Sequence, residues 1–244
     1  MKLFDCLIIG LISIPIFSQT IKVEYKSEKK ISEERLLEMR EHYRKPILKN
    51  YYYTLVLSNN IASYKTNKNV IDNTVYNDDE KEFIKGQDIN LYKNFVKDIN
   101  SNIFYGNFNL REDAYSIKDS LIDREWKITN ETKIISDYKC LKAISNKNSF
   151  ELTAWFTEDL DAKTGPDYYD GLPGLILEID TKHMNILAVD VKVEPETTII
   201  DLPVFDGKTY TFKSLDEKLN EPKTSTFTIG NTTTTTTTIR KKLD

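Results

Sequence analysis

Apolar residues in this chain recur at every second position in short runs, and that periodicity limits what the chain can build more than any other feature. Ile21, Val23 and Tyr25 share one side of residues 20–26. From Tyr51 onward Tyr53, Leu55 and Leu57 face one way and Thr54, Val56 and Ser58 the other. Successive side chains of a strand point to opposite faces, so the pattern is that of half-buried β-strands. Further β-like runs lie at 61–65, 91–96, 103–108, 126–129, 133–136, 138–144 and 150–157. Past a Gly- and Pro-containing stretch they resume at 175–180, 186–193, 198–202 and 209–213. Short runs parted by turn-prone residues imply consecutive antiparallel strands. The expected fold is mainly β, a curved antiparallel sheet or half-barrel, with one short N-terminal helix. Ser32 can cap that helix, Glu33 and Glu34 suit its first turn, and Leu36, Met39 and Tyr43 share a face before Pro46 stops it. Residues 66–88, rich in Asn, Asp, Lys and Glu, read as an exposed loop. No internal repeat is visible, which argues against propellers and solenoids.

The N-terminus sets the expected compartment. Lys2 precedes an apolar stretch, residues 7–17, that ends at Ser18 and Gln19 and is interrupted by Pro15. Such a run is too short to span a bilayer and has the order of a cleavable secretory signal. The expected division is a signal peptide at 1–18, a single β-rich domain at 19–230 and a Thr-rich tail at 231–244. The product is then exported to the periplasm or the extracellular medium, with no transmembrane anchor after cleavage. Cys6 lies ahead of the apolar run and is removed with it. Cys140 is then the one cysteine left, which excludes an internal disulfide framework and a multi-cysteine metal site. It reads as a small core residue, with a reactive thiol as the alternative.

Composition narrows function mainly by exclusion. The net charge is −4 with both signs interspersed, so no basic stripe exists to neutralise phosphates and a nucleic-acid partner is not expected. His42 and His183 are the two histidines, and neither stands at metal-ligand spacing. No nucleophile elbow, zinc helix or phosphate-cradling glycine loop occurs, so no catalytic residue, metal or cofactor is assigned. Glu158, Asp159, Asp161, Asp167 and Asp170 gather acid around Gly165-Pro166. A solvated acidic loop, a Ca²⁺ site and a paired-carboxylate acid–base site are the three readings of that cluster.

The most informative segment runs from Tyr138-Lys139-Cys140-Leu141-Lys142-Ala143 through Ala154-Trp155-Phe156-Thr157 and Gly165-Pro166 to Gly171-Leu172-Pro173-Gly174-Leu175-Ile176. Trp155 falls on the polar face of its strand, where it is either covered by the next loop or lines a groove for an apolar ligand. Gly171 and Gly174 free two positions for positive φ around a locked Pro173, as a tight turn before a strand requires. In order and spacing these strings, with Trp126-Lys127-Ile128, resemble the GLPGLI family of exported Bacteroidota proteins. The chain departs from that family at Asn148-Ser149-Phe150-Glu151, where the family commonly carries Gly-Arg. The resemblance implies an exported β-rich envelope protein with no activity to carry over, and an architecture similar to the half-barrels of periplasmic lipoprotein carriers. The chain is accordingly expected to be a non-enzymatic binder of an apolar ligand or lipidated partner, with Trp155, Tyr169 and Leu172 near the mouth of the hollow. The first alternative is a structural or protein–protein interaction module of the envelope. The second is a Ca²⁺-assisted enzyme using the acidic loop through Asp159 or Asp170.

Overall fold

The structure, a computed structural model, describes residues 19–70, 73–110, 113–147, 151–205, 207–221, 223–229 and 232–238. The expected signal peptide lies outside them. Along the chain the elements are β1 (Thr20–Lys29), α1 (Glu33–Glu38), α2 (Glu41–Ile47), β2 (Tyr51–Ser58), β3 (Ile61–Thr66), α3 (Asp78–Leu91), β4 (Asn94–Asp98), β5 (Ile103–Leu110) and β6 (Asp113–Ser120). There follow β7 (Lys127–Ile135), β8 (Tyr138–Ser145), β9 (Leu152–Thr157), β10 (Leu175–Thr181), β11 (Met184–Glu194), β12 (Thr209–Tyr210), α4 (Phe212–Asn220), β13 (Lys223–Ile229) and β14 (Thr232–Thr238). Twelve of the strands form one curved, unclosed sheet in the order β12-β6-β5-β4-β3-β2-β1-β11-β10-β9-β8-β7. Its pairs are antiparallel except the short parallel pair of β12 with β6.

The alternation seen in sequence sets the register. Val23 stands opposite Leu55, Leu55 opposite Tyr64, Tyr64 opposite Phe95, Phe95 opposite Gly106 and Gly106 opposite Ile117. All of these side chains lie on one buried face, called here the inner face. Each fully buried Leu or Phe there contributes about 1.5–3 kcal/mol of transfer free energy. Gly106 is glycine for lack of room: a Cβ would stand 2.6 Å from the Phe104 ring, which packs with Phe108 around Phe95. A one-residue slip would turn this whole row to solvent, so the register is strongly held.

The inner face is covered from within the chain. Residues 158–174, between β9 and β10, place Leu160, Ala162, Tyr169 and Leu172 in the same cluster as Tyr25, Tyr53, Tyr64 and Phe156, and α4 adds Leu215.

The structure adds elements the sequence pattern did not suggest. There are four helices, not one, among the described residues. The stretch expected as a loop at 66–88 holds most of α3, whose Asn77 cap accepts from the Glu80 amide while the Glu80 carboxylate accepts from the Asn77 amide. This reciprocal cap offsets weak amphipathicity, since only Glu80 and Ile84 of α3 are buried. A second capping box, Thr211 with Ser214, starts α4 just after the two strand residues of β12, where a longer strand was expected. Residues 198–202 form no strand, and Ile199 is 85% exposed. The seven threonines of β14 pair with β13 as a separate hairpin.

Candidate functional site

The covering segment is fastened to the sheet by a buried ion pair. Lys97 follows Phe95 at strand spacing, so its side chain enters the inner face and is fully buried. Its ammonium donates to the Gly165 carbonyl at 2.7 Å and to Asp170 Oδ1 at 2.7 Å, and the Thr164 hydroxyl donates to the same carboxylate oxygen at 2.8 Å. Nearer the rim, Lys93 pairs with Asp167 at 3.4 Å and lies over the Phe95 ring. Trp126 donates its indole N–H to the Asp170 carbonyl at 2.8 Å. Burial, and next the charge of Asp170, hold the Tyr25 phenol well above its ordinary pKa; burial and then Asp167 do the same to Tyr64. The acidic cluster of the sequence is thus split: Glu158, Asp159 and Asp161 are exposed, while Asp167 and Asp170 are buried. Asp159 is thus exposed where Asp170 is buried, and among the described residues no three His, Cys, Asp or Glu side chains gather to hold a metal.

The structure does not bring Trp155, Tyr169 and Leu172 together. Trp155 alternates with the buried Ala154 and Phe156 and so points to the outer face, where Lys133 lies 4.3 Å and Lys142 6.0 Å from its ring. Tyr169 and Leu172 are 6% and 1% exposed inside the core. The two turn glycines serve different needs. Gly171 has φ of 90°, while a Cβ on Gly174 would meet the Thr157 carbonyl oxygen at 2.0 Å. Gly165 is likewise closed in, with Ile176 Cβ 2.6 Å from the place its own Cβ would occupy. Cys140 and Ala143 are fully buried, and burial pushes the Cys140 thiol up to about 11, so it packs as a small core residue.

An open concavity lies elsewhere. A groove of about 940 Å³ runs between the end of α2, the adjoining ends of β2 and β3, and α3. Tyr51, Tyr52, Tyr76 and Tyr92 supply aromatic surface, and Asn50, Asn67 and Asn109 supply amides. Its framework is internally bonded. Lys49 pairs with Asp88 at 3.0 Å, Asn67 donates to Glu24 at 2.8 Å, and Tyr53 under the groove donates to the Leu91 carbonyl at 3.2 Å. Burial, then the Asp88 carboxylate, raise the Tyr51 phenol above its ordinary pKa. The phenols of Tyr52 and Tyr92 and the amides of Asn50 and Asn109 have no hydrogen-bond partner among the described residues. Aromatic faces beside unspent amides and phenols suit a ligand that has both C–H faces and hydroxyl edges, and the volume falls within the range of small-molecule sites, about 300–1,000 Å³. None of these residues stood out in the sequence. The one legible signal was the Asn-x-x-Glu cap of α3, which turns a polar stretch into a wall.

A family model described as N-glycanase peptide, N-terminal domain, matches residues 38–217, a span that contains the whole groove and the buried clasp. Two solved structures of PNGF-II, in different crystal forms, share the fold. One is 18% identical with a TM-score of 0.54 and the other 17% identical with a TM-score of 0.55. The alignments cover 88% and 86% of this chain and 35% of each of those chains, so the chain spans about a third of the length of the structures it matches. No curated protein matches the sequence. The family match overturns the resemblance to the GLPGLI family. The strings behind that resemblance are packing requirements here: two buried small residues on β8, a turn glycine at positive φ and a glycine pressed on a carbonyl.

Proposed function

Because the chain belongs to the family of the N-glycanase peptide N-terminal domain, we propose that it works in the enzymatic release of N-linked glycans from glycoproteins, its groove holding the saccharide. Family membership overturns the expectation of a non-enzymatic binder of apolar or lipidated partners and does not favour the envelope interaction module, while the acidic loop that a Ca²⁺-assisted enzyme would use is split, with Asp159 exposed and Asp170 buried. The hollow that an apolar ligand would need is filled by residues 158–174.

The observation that carries the reading is the match over 38–217, which takes in the groove between α2 and α3 entire. A pyranose ring presents one apolar face and a rim of hydroxyls. Tyr52 and Tyr92 supply the face to stack on, while Asn50 and Asn109 can each donate and accept at the rim. Asp167 and Asp170 are closed off by their own loop, so the assignment to this chain is the holding of substrate. Export belongs to the same reading. Among the described residues no helix is long and apolar enough to cross a membrane, and cleavage after Ser18 would release the domain where glycoproteins are met. The intact mass of the exported protein reads out that cleavage.

Calorimetric titration of the full chain with an asparagine-linked glycopeptide, beside the same peptide without sugar, tests the groove. Saturable binding of the glycopeptide alone is expected, weakened about tenfold by Tyr92→Ala, as loss of one stacking contact worth ~1.4 kcal/mol requires. Equal titration by the sugar-free peptide would overturn the reading.

A further inference from the structure

We infer that the groove selects acidic saccharides, those carrying a carboxylate or a sulfate, over neutral ones; this rests on the saccharide reading above. The chain as a whole carries net charge −4. The groove inverts that balance: Lys49, Lys68, Lys81 and Lys85 line it, against the single carboxylate of Asp88. Asp88 is taken by Lys49, and Lys81 is paired with Asp78 at 2.9 Å on the exposed start of α3. Lys68 lies 5.2 Å from the centre of the Tyr92 ring and has no ion-pair partner among the described residues, nor has Lys85.

Two exposed, unneutralised ammonium groups in one groove, that of Lys68 over a stacking ring, are a poor use of charge for a neutral sugar, whose hydroxyls bond as well to amides. For an anionic sugar they are productive. A hydrogen bond from an ammonium to a carboxylate or sulfate is about twice as strong as one between neutral groups. The anion would sit at the charged rim while the ring carbons lie on Tyr92. Because both lysines are solvated, each is worth roughly a three- to fivefold change in affinity rather than orders of magnitude. Salt must also erase the effect once the Debye length falls to about 3 Å near 1 M.

Three glycopeptides of identical peptide and core, one neutral, one ending in a carboxylated sugar and one sulfated, are titrated into the full chain at low and at high salt. At low salt one or both charged forms should bind about tenfold more tightly than the neutral form, and which of them does so names the anion. The ratio of charged to neutral affinity should collapse toward one at high salt and in the double variant Lys68→Gln/Lys85→Gln. Equal affinities for neutral and charged forms would overturn this inference and leave the saccharide reading standing. Failure of all three to bind would overturn both.

Discussion

Replacing Lys97 by Ala is expected to destabilise the protein by about 3–5 kcal/mol, the usual cost of leaving one member of a buried ion pair without the other. The geometry explains why the loss should be at the large end. Asp170 is 2% exposed, its Oδ1 is shared between Lys97 and Thr164, and its Oδ2 has no partner among the described residues. Removing the ammonium leaves a carboxylate with one hydroxyl, in a site that water does not reach, and also frees the Gly165 carbonyl that the same ammonium satisfies. Urea denaturation monitored by circular dichroism measures the effect as a lowered midpoint at unchanged slope. A second variant separates the pair from mere packing. In Lys97→Met/Asp170→Leu both charges go and similar volume remains, so most of the lost stability should return. A double variant as unstable as Lys97→Ala would mean that the ion pair is not what fastens residues 158–174.

The second large effect is steric. Gly174→Ala puts a methyl group 2.0 Å from the Thr157 carbonyl oxygen, 2.7 Å from its carbon and 3.2 Å from Glu158 Cα, all backbone atoms that cannot swing aside. Either the end of β9 or the start of β10 must shift, and both are buried strand residues paired with each other. Overpacking of this kind costs about 1–3 kcal/mol and more where backbone must move, so a loss of at least 3 kcal/mol is expected. Gly86→Ala is the matched control. Nothing lies within 4 Å of its Cβ position, it sits inside α3, and the same substitution should stabilise by roughly 0.5–1 kcal/mol. Opposite signs for one chemical change, read by thermal melting, would follow from local geometry alone. A neutral Gly174→Ala would contradict the close approach of β9 and β10.

How much of this was legible in the sequence depends on whether the cause is local. Ile21, Val23 and Tyr25 declare an inward face because the partner of each is simply the next alternating strand. Strand β6 was overlooked because only Tyr115 and Ile117 mark it among polar neighbours, and its pairing with β5 supplies what its own pattern lacks. Lys97 lies just past the run expected at 91–96, and its partner is 73 residues away, farther than any spacing rule reaches. Asp167 and Asp170 read as solvated because acids usually are; only the curvature that brings β4 under residues 158–174 buries them. The groove was the least legible feature. Its walls come from the ends of elements distant in sequence, Lys49 to Asn109, and Tyr92 and Lys85 carry no mark of their own.

The position of β1 governs the order in which the molecule can come into being. The first of the described strands has its far-side partner eleventh in chain order: Thr20 pairs with Glu194, and its hydroxyl reaches the Glu196 carbonyl across 176 residues. Beside β2 it can close a local hairpin-like pair early, but its other edge stays unsatisfied until β11 has been synthesised. Until then the sheet cannot be completed across β1. Folding speed falls as contacts lengthen along the chain. A sheet arranged this way commits to its shape only after everything between Lys29 and Met184 has been made.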